Sequence, residues 1–342
     1  MMILLLGCVT QEPAPYRWVR GYEGETPEIA QAGLRWALSL MGSSADDVVW
    51  LGDDDDAQVW FDGLDAEVQA EVDADLASER DLRGSADLGR FLMLSLYDPE
   101  RYYRLVDAPQ NFIEVSEPWL TYNVTSSLLT ATGRVVRLPA GGCEPRCGPV
   151  ELTVQEGTGL FKADGFRIGE LERIDLMPNG QQRFMVYDAA GQRISSSDGP
   201  AGPPGRCMWC HEDHLMRGVP EQNPAVGGGI SGARFDRRLA DLTEQMQAIR
   251  SLTPAVDWDE PVVHEYAELL VFSFLNPSAD RLGREWAQTP DAVARALSDL
   301  TPVEDPEFPQ LGSLYERAAA DAVLAPLWGD GWDPAPVAAS FR

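Results

Sequence analysis

The chain has 342 residues, 55 acidic and 27 basic, for a formal charge of −28. Such a charge repels phosphates and anionic lipid, so neither nucleic-acid binding nor polybasic membrane docking is expected. Apolar residues at 44% and charged residues at 24% are globular proportions, which exclude collagen, a coiled coil and wholesale disorder. The length suits about two domains, and the longest uncharged apolar run, Met1 to Val9, falls short of the ~20 residues of a spanning helix.

Taken from the start, Leu5-Leu6-Gly7-Cys8 resembles a bacterial lipobox. In that family the small residue before Cys permits signal cleavage, and the Cys thiol carries the lipid. The apolar stretch before it is short and lacks a basic residue, which departs from a full signal peptide. Pro13 and Pro15 suit a tether. The resemblance implies lipidation at Cys8, membrane attachment by the lipid anchor alone, and a place on the periplasmic side of the envelope, at the outer membrane. Residues 1–25 read as signal and linker.

Residues 26–110 read as a helical N-terminal region. Thr26-Pro27-Glu28 supplies an N-cap, a proline at the first helical position and an acid in the first turn, with Gly42 as the stop. Asp53 to Asp56 reads as a solvated acidic loop, since it lacks the Gly and distal Glu of an EF-hand loop. Helical patterning continues over 64–79 and 85–107.

Residues 111–200 read as an antiparallel meander of about six strands, with turns at Asp164-Gly165, Pro178-Asn179-Gly180 and Ala189-Ala190-Gly191. Cys143 and Cys147 fall between strand-like runs, four residues apart across Pro145, and read as a disulfide clipping a hairpin, the rival being half a metal site.

Residues 201–342 read as an attachment loop and a helical region, with helices at about 234–252, 259–275, 278–299 and 312–324. The sharpest signal opens this part: Cys207-Met208-Trp209-Cys210-His211. Two thiols at CxxCH spacing reach the two vinyl groups of one haem and the adjacent imidazole reaches its iron. Chance would give the pattern on the order of 10⁻³ times in such a chain. Zinc held by Cys207, Cys210, His211 and His214, a redox dithiol and a plain disulfide stay open as rivals.

At these residues the chain resembles a monohaem c-type cytochrome. The resemblance implies one covalent haem c, with Cys207 and Cys210 as attachment points and His211 as proximal ligand. For the sixth position His264 is the candidate distal ligand, its rival reading a core or surface histidine hydrogen-bonded to Glu265 or another neighbour. Met246 is a weaker candidate, its rival reading core packing, and Met216, Met185 and Met177 are the other methionines considered. His214 projects from the same side as His211, which is wrong for a distal ligand. A weaker likeness in arrangement links the chain to the cytochrome P460 group, where a sheet precedes CxxCH and a lysine joins the haem in some members; here Lys162 lies on a strand-like run.

The expected fold class is α+β: a helical N-terminal part, an antiparallel β meander, then the haem-attachment loop and C-terminal helices. The expected function is electron transfer to a redox partner protein in the cell envelope. The alternatives are a haem oxidoreductase or small-ligand binder with an open sixth iron site, and a non-haem envelope scaffold.

Overall fold

A computed structural model describes residues 15–52, 57–112, 120–123, 129–137, 152–162, 165–196, 237, 240, 243–244, 246–251, 253–260 and 262–329. The chain is α+β, as expected. Helix α1 (Pro27–Leu40) starts where the sequence says it should: Thr26 Oγ1 accepts from the Ile29 N–H at 3.4 Å. It ends at Gly42, whose φ of +82° suits a residue without a Cβ.

The core is organised around α6 (Val263–Leu275), which is buried on nearly every face, the mark of a helix surrounded by protein. Two glycines let other helices meet its backbone. A Cβ on Gly33 of α1 would sit 2.6 Å from the Tyr266 carbonyl carbon. A Cβ on Gly89 of α4 (Leu88–Leu96) would sit 2.6 Å from the Leu270 carbonyl oxygen, one turn further along.

Between α1 and α4 lie α2 (Ala66–Asp75) and α3 (Ala77–Arg83), capped respectively by Asp65 and the left-handed Gly84. The sequence suggested one helix over 64–79 and one over 85–107. The second is interrupted because Asp98 caps a new helix, α5 (Pro99–Leu105), accepting from the Glu100 and Arg101 N–H groups at 3.0 Å each. The predicted helix over 278–299 likewise divides into α7 (Ala279–Glu285) and α8 (Pro290–Ala296), with Ala287 at φ +51° in the break and Thr289 capping the restart. Helix α9 (Arg317–Trp328) closes the described C-terminal part. Among the described residues no helix is long and apolar enough to cross a membrane.

A small sheet escaped the sequence reading. Strands β1 (Tyr16–Arg17), β2 (Val49–Leu51), β3 (Gln58–Trp60) and β4 (Ala86–Asp87) lie in the order β2-β3-β1-β4, with β1 and β4 parallel. Residues 16–25 therefore do not serve as a tether. Trp18 and Val19 are 1% and 3% exposed, and the Gly21 N–H donates to buried Glu25 at 2.5 Å.

The predicted meander is present as five antiparallel strands in sequence order among the described residues: β5 (Leu120–Asn123), β6 (Leu129–Arg137), β7 (Leu152–Lys162), β8 (Gly165–Leu176) and β9 (Gln182–Asp188). Strand β7 runs unbroken, with a register shift at Thr158/Gly159, a bulge. Strand β9 docks on α5. The Tyr102 hydroxyl accepts from the Phe184 N–H at 3.0 Å, and the Tyr103 hydroxyl accepts from the Val186 N–H at 3.2 Å. These tyrosines satisfy backbone donors on the side of β9 that faces away from β8. A final pair, β10 (Val303–Glu304) with β11 (Ser313–Leu314), lies between α8 and α9. One apolar cluster includes Leu34, Phe91, Phe184, Tyr187, Val256 and Leu270. The three sequence regions thus share a core and are not separate packing units.

A buried ionic network fastens the two ends of the chain. The Arg281 guanidinium donates to both Asp87 carboxylate oxygens (3.0 and 2.8 Å), to the Val19 carbonyl (2.9 Å), to Ser273 Oγ (3.1 Å) and to Glu285 (2.8 Å). Arg317 donates to both Glu285 oxygens (2.6 and 2.8 Å) and to the Phe274 carbonyl (2.8 Å). Burial alone would raise the Glu285 pKa, but Arg317, Arg281 and Arg83 reverse this and hold it at about 2. Glu25 goes the other way: burial raises it from 4.5 to about 7, against the opposing pull of the Gly21 N–H, Arg281 and Trp18.

Two expectations follow from this packing. Gly33→Ala drives a methyl into the α6 backbone, which cannot rotate aside, and lowers stability by about 3 kcal/mol in urea unfolding. Folded Glu25 keeps its proton to about pH 7, whereas the unfolded chain releases it near 4.5. The folded state therefore binds more protons in that window, and this contribution to stability is complete below pH 4.5 and lost as pH rises through 7. Glu25→Gln removes a fall of up to about 3 kcal/mol, read as a flatter dependence of the urea midpoint on pH between 4.5 and 7. Glu285 contributes with the opposite sign: its share is complete above pH 4.5 and lost as pH falls towards 2.

Candidate functional site

The candidate attachment residues Cys207, Cys210 and His211 lie outside the described residues, as do Cys8, Cys143, Cys147, His214, Met216 and Asp53 to Asp56. Lys162 ends β7, its backbone paired with Gly165. The structure does describe how the chain approaches the motif and resumes after it. On the approach, the Ile194 carbonyl accepts from the Tyr103 hydroxyl at 2.8 Å, and Arg193 donates to the Ala108 carbonyl. The Arg193 guanidinium also stacks 4.4 Å from the Tyr103 ring centre. After it, residues 246–250 are helical, and Met246 and Ile249 are buried. Both flanks are therefore fixed to the folded body.

His264 and Met246, the two candidate distal ligands, border one polar–aromatic cluster. His264 is in the first turn of α6, 8% exposed, with its ring 6.3 Å from that of Trp36. Trp36 meets Trp258 edge-on at 5.2 Å. Arg250, one helical turn after Met246, lays its guanidinium 4.7 Å from the Trp258 ring and 5.4 Å from the Trp36 ring. These are cation–π distances. The same guanidinium donates to the Gly180 carbonyl and to Gln181 Oε1, both at 3.2 Å. Gln182 Nε2 donates to the Met246 sulfur at 3.6 Å. The candidates are thus embedded in packed, hydrogen-bonded surroundings. Met185 is also engaged, its sulfur accepting from the Tyr187 hydroxyl at 3.3 Å. Among the described residues no group of three or more His, Cys, Asp or Glu is gathered to hold a metal ion.

Met177 stands apart from these. It lines a pocket of about 300 Å³ between the ends of α1 and α5, together with Gly42, Leu105, Val106, Asn179 and Thr253. The walls are held rigidly. Asn179 Nδ2 donates to the Ser39 and Ser43 carbonyls at 2.8 and 2.9 Å, and Asn179 Oδ1 accepts from the Gln181 N–H at 3.0 Å. Thr253 Oγ1 donates to the Asn179 carbonyl at 3.0 Å. The sequence reading found the Pro178-Asn179-Gly180 turn but not its role as a clamp on α1. The asparagine was the available clue, because a buried turn amide seeks partners beyond its own turn.

Replacing Met246 by Leu keeps the volume and loses only a weak acceptor. Met246→Leu therefore unfolds within about 1.5 kcal/mol of the parent in urea if its role is core packing alone.

No protein-family model matches the chain, and no curated protein or solved structure matches it.

Proposed function

We propose that the chain is a cell-envelope, c-type cytochrome-like lipoprotein carrying one covalent haem for electron transfer. The observation that carries the reading is Cys207-Met208-Trp209-Cys210-His211. Its donors fit the group: two thiols for the vinyl carbons and one imidazole for the iron. Once attached, the haem supplies a one-electron Fe(III)/Fe(II) couple. Cys207 and Cys210 hold it, and His211 supplies the proximal nitrogen. His264 is the leading distal candidate, with Met246 second; a thioether there raises the reduction potential relative to imidazole. Covalent haem attachment and a lipidated Cys8 both belong outside the cytoplasm, so the lipobox-like start and the CxxCH support each other. The charge of −28 favours encounter with a cationic redox partner.

One observation favours the second reading, an open sixth iron site suited to catalysis or small-ligand binding. The Met246 sulfur already accepts a hydrogen bond, and the His264 ring is packed against Trp36. Ligation by either group must displace such contacts.

Expression with a periplasmic signal and a haem-maturation system separates the readings. Haem retained after denaturation, and lost in Cys207→Ser/Cys210→Ser, establishes covalent attachment. Sharp α and β bands on reduction mark a low-spin iron, and their loss in His264→Ala assigns the distal ligand; unchanged bands in that variant remove His264. A broad high-spin spectrum selects the open site. Absence of retained haem, where a control cytochrome matures, ends the haem reading and leaves the scaffold.

A further inference from the structure

The pocket beside Met177 is built for a ligand of its own. Helices α1 and α5 both end at it, and helix C-termini carry partial negative charge on carbonyls lacking a helical partner. Leu105 is such a residue. The N–H that would normally reach its carbonyl belongs four residues on, where the chain has Pro109 and therefore no donor. Among the described residues this carbonyl accepts no hydrogen bond. It borders the pocket, 3.1 Å from where a Cβ on Gly42 would stand; that same point is 3.9 Å from the Met177 sulfur.

The backbone around the pocket is strained. Ala45 follows the α1 end at φ +59°, and Asp107 follows the α5 end at φ +53°. Each is a left-handed conformation that a residue with a Cβ adopts at a cost. Each is held in place: the Ala45 N–H donates to Ser43 Oγ at 3.0 Å, and Arg183 donates to the Val106 and Asp107 carbonyls at 2.9 Å each. Ala45 and Asp107 adjoin the lining residues Ser44 and Val106, and strain of this kind clusters at ligand sites.

The lining selects the ligand. None of its side chains is charged, and Val106, Met177 and Pro178 offer apolar surface. A pocket of about 300 Å³ has the volume of about ten waters at ~30 Å³ each, room for a small aromatic molecule and too little for a haem. An anion would meet two helix C-termini and no cation in the lining. We infer that the pocket binds a neutral, phenol-sized molecule that donates one O–H or N–H to the Leu105 carbonyl and lays its apolar body against Val106 and Met177. Phenol is the simplest probe of that class.

The test follows the methyl signals of the full chain labelled with methyl-¹³C methionine, the Met177 signal being assigned by Met177→Leu. Phenol shifts the Met177 methyl saturably and leaves Met246 in place. Toluene, of similar size without the donor, binds roughly three- to tenfold more weakly, and benzoate does not bind. Ser44 lines the pocket from the exposed side, so Ser44→Trp fills the mouth and abolishes the shift without disturbing the Met246 signal. A Met177 signal unmoved by phenol, equal affinity for toluene, binding of benzoate, or undiminished binding in Ser44→Trp overturns the inference. The readout does not depend on haem at Cys207 and Cys210, so this reading and the cytochrome reading fail separately.

Discussion

Everything near the centre of this molecule depends on Arg281. Its guanidinium reaches the carboxylate of Asp87, the carbonyl of Val19 and the side chains of Ser273 and Glu285, groups that lie up to 262 residues away in the chain. Asp87 in turn caps α4 through the Arg90 N–H, while Glu79 pairs with Arg90. Such a network is a poor source of net stability, because each buried charge has given up its hydration. Its effect is on alternatives: a register in which any one partner is missing leaves a charge buried alone. The network therefore rejects wrong arrangements of the helices that the apolar contacts alone would tolerate.

The glycine contacts act in the same sense. Gly33 and Gly89 bring α1 and α4 against the backbone of α6 one turn apart, which fixes how far the helices can slide. Around this joint the polar–aromatic cluster of Trp36, Trp258, Arg250 and His264 is assembled from two distant stretches, α1 and residues 250–264. The chain flanking the CxxCH motif is tied to the same body by Tyr103 on one side and Arg250 on the other. The candidate attachment segment is thus bracketed by ordered structure.

Much of the architecture was legible in the sequence where local chemistry decides it. Thr26-Pro27 and Gly42 bounded α1, and the turns at Gly180 and Gly191, both left-handed, placed strand ends. The break at Asp98-Pro99 carried the same cap-and-proline signal as Thr26-Pro27 and was overlooked because the apolar spacing continued across it. The small sheet was not legible. Its strands have two or three residues, too few to show alternation, and β1 pairs with β4 some 70 positions later. The CxxCH pattern is legible from its own spacing. The pocket was invisible, since positions 42, 105, 177 and 253 share no periodicity, and only the folded chain brings them together.

The tyrosines on α5 also decide what the large sheet can do in company. Tyr102 and Tyr103 occupy the outward N–H groups of β9 at Phe184 and Val186, so that margin has no donors to offer there. Among the described residues, the margin left for a further strand is that of β5, at the other side of the meander. Endless strand-by-strand growth requires two receptive margins, one to give and one to receive. With a single one, association through the sheet stops when two β5 strands meet about a two-fold axis. The same hydroxyls that dock the sheet on the helices therefore make it a terminus for polymerisation.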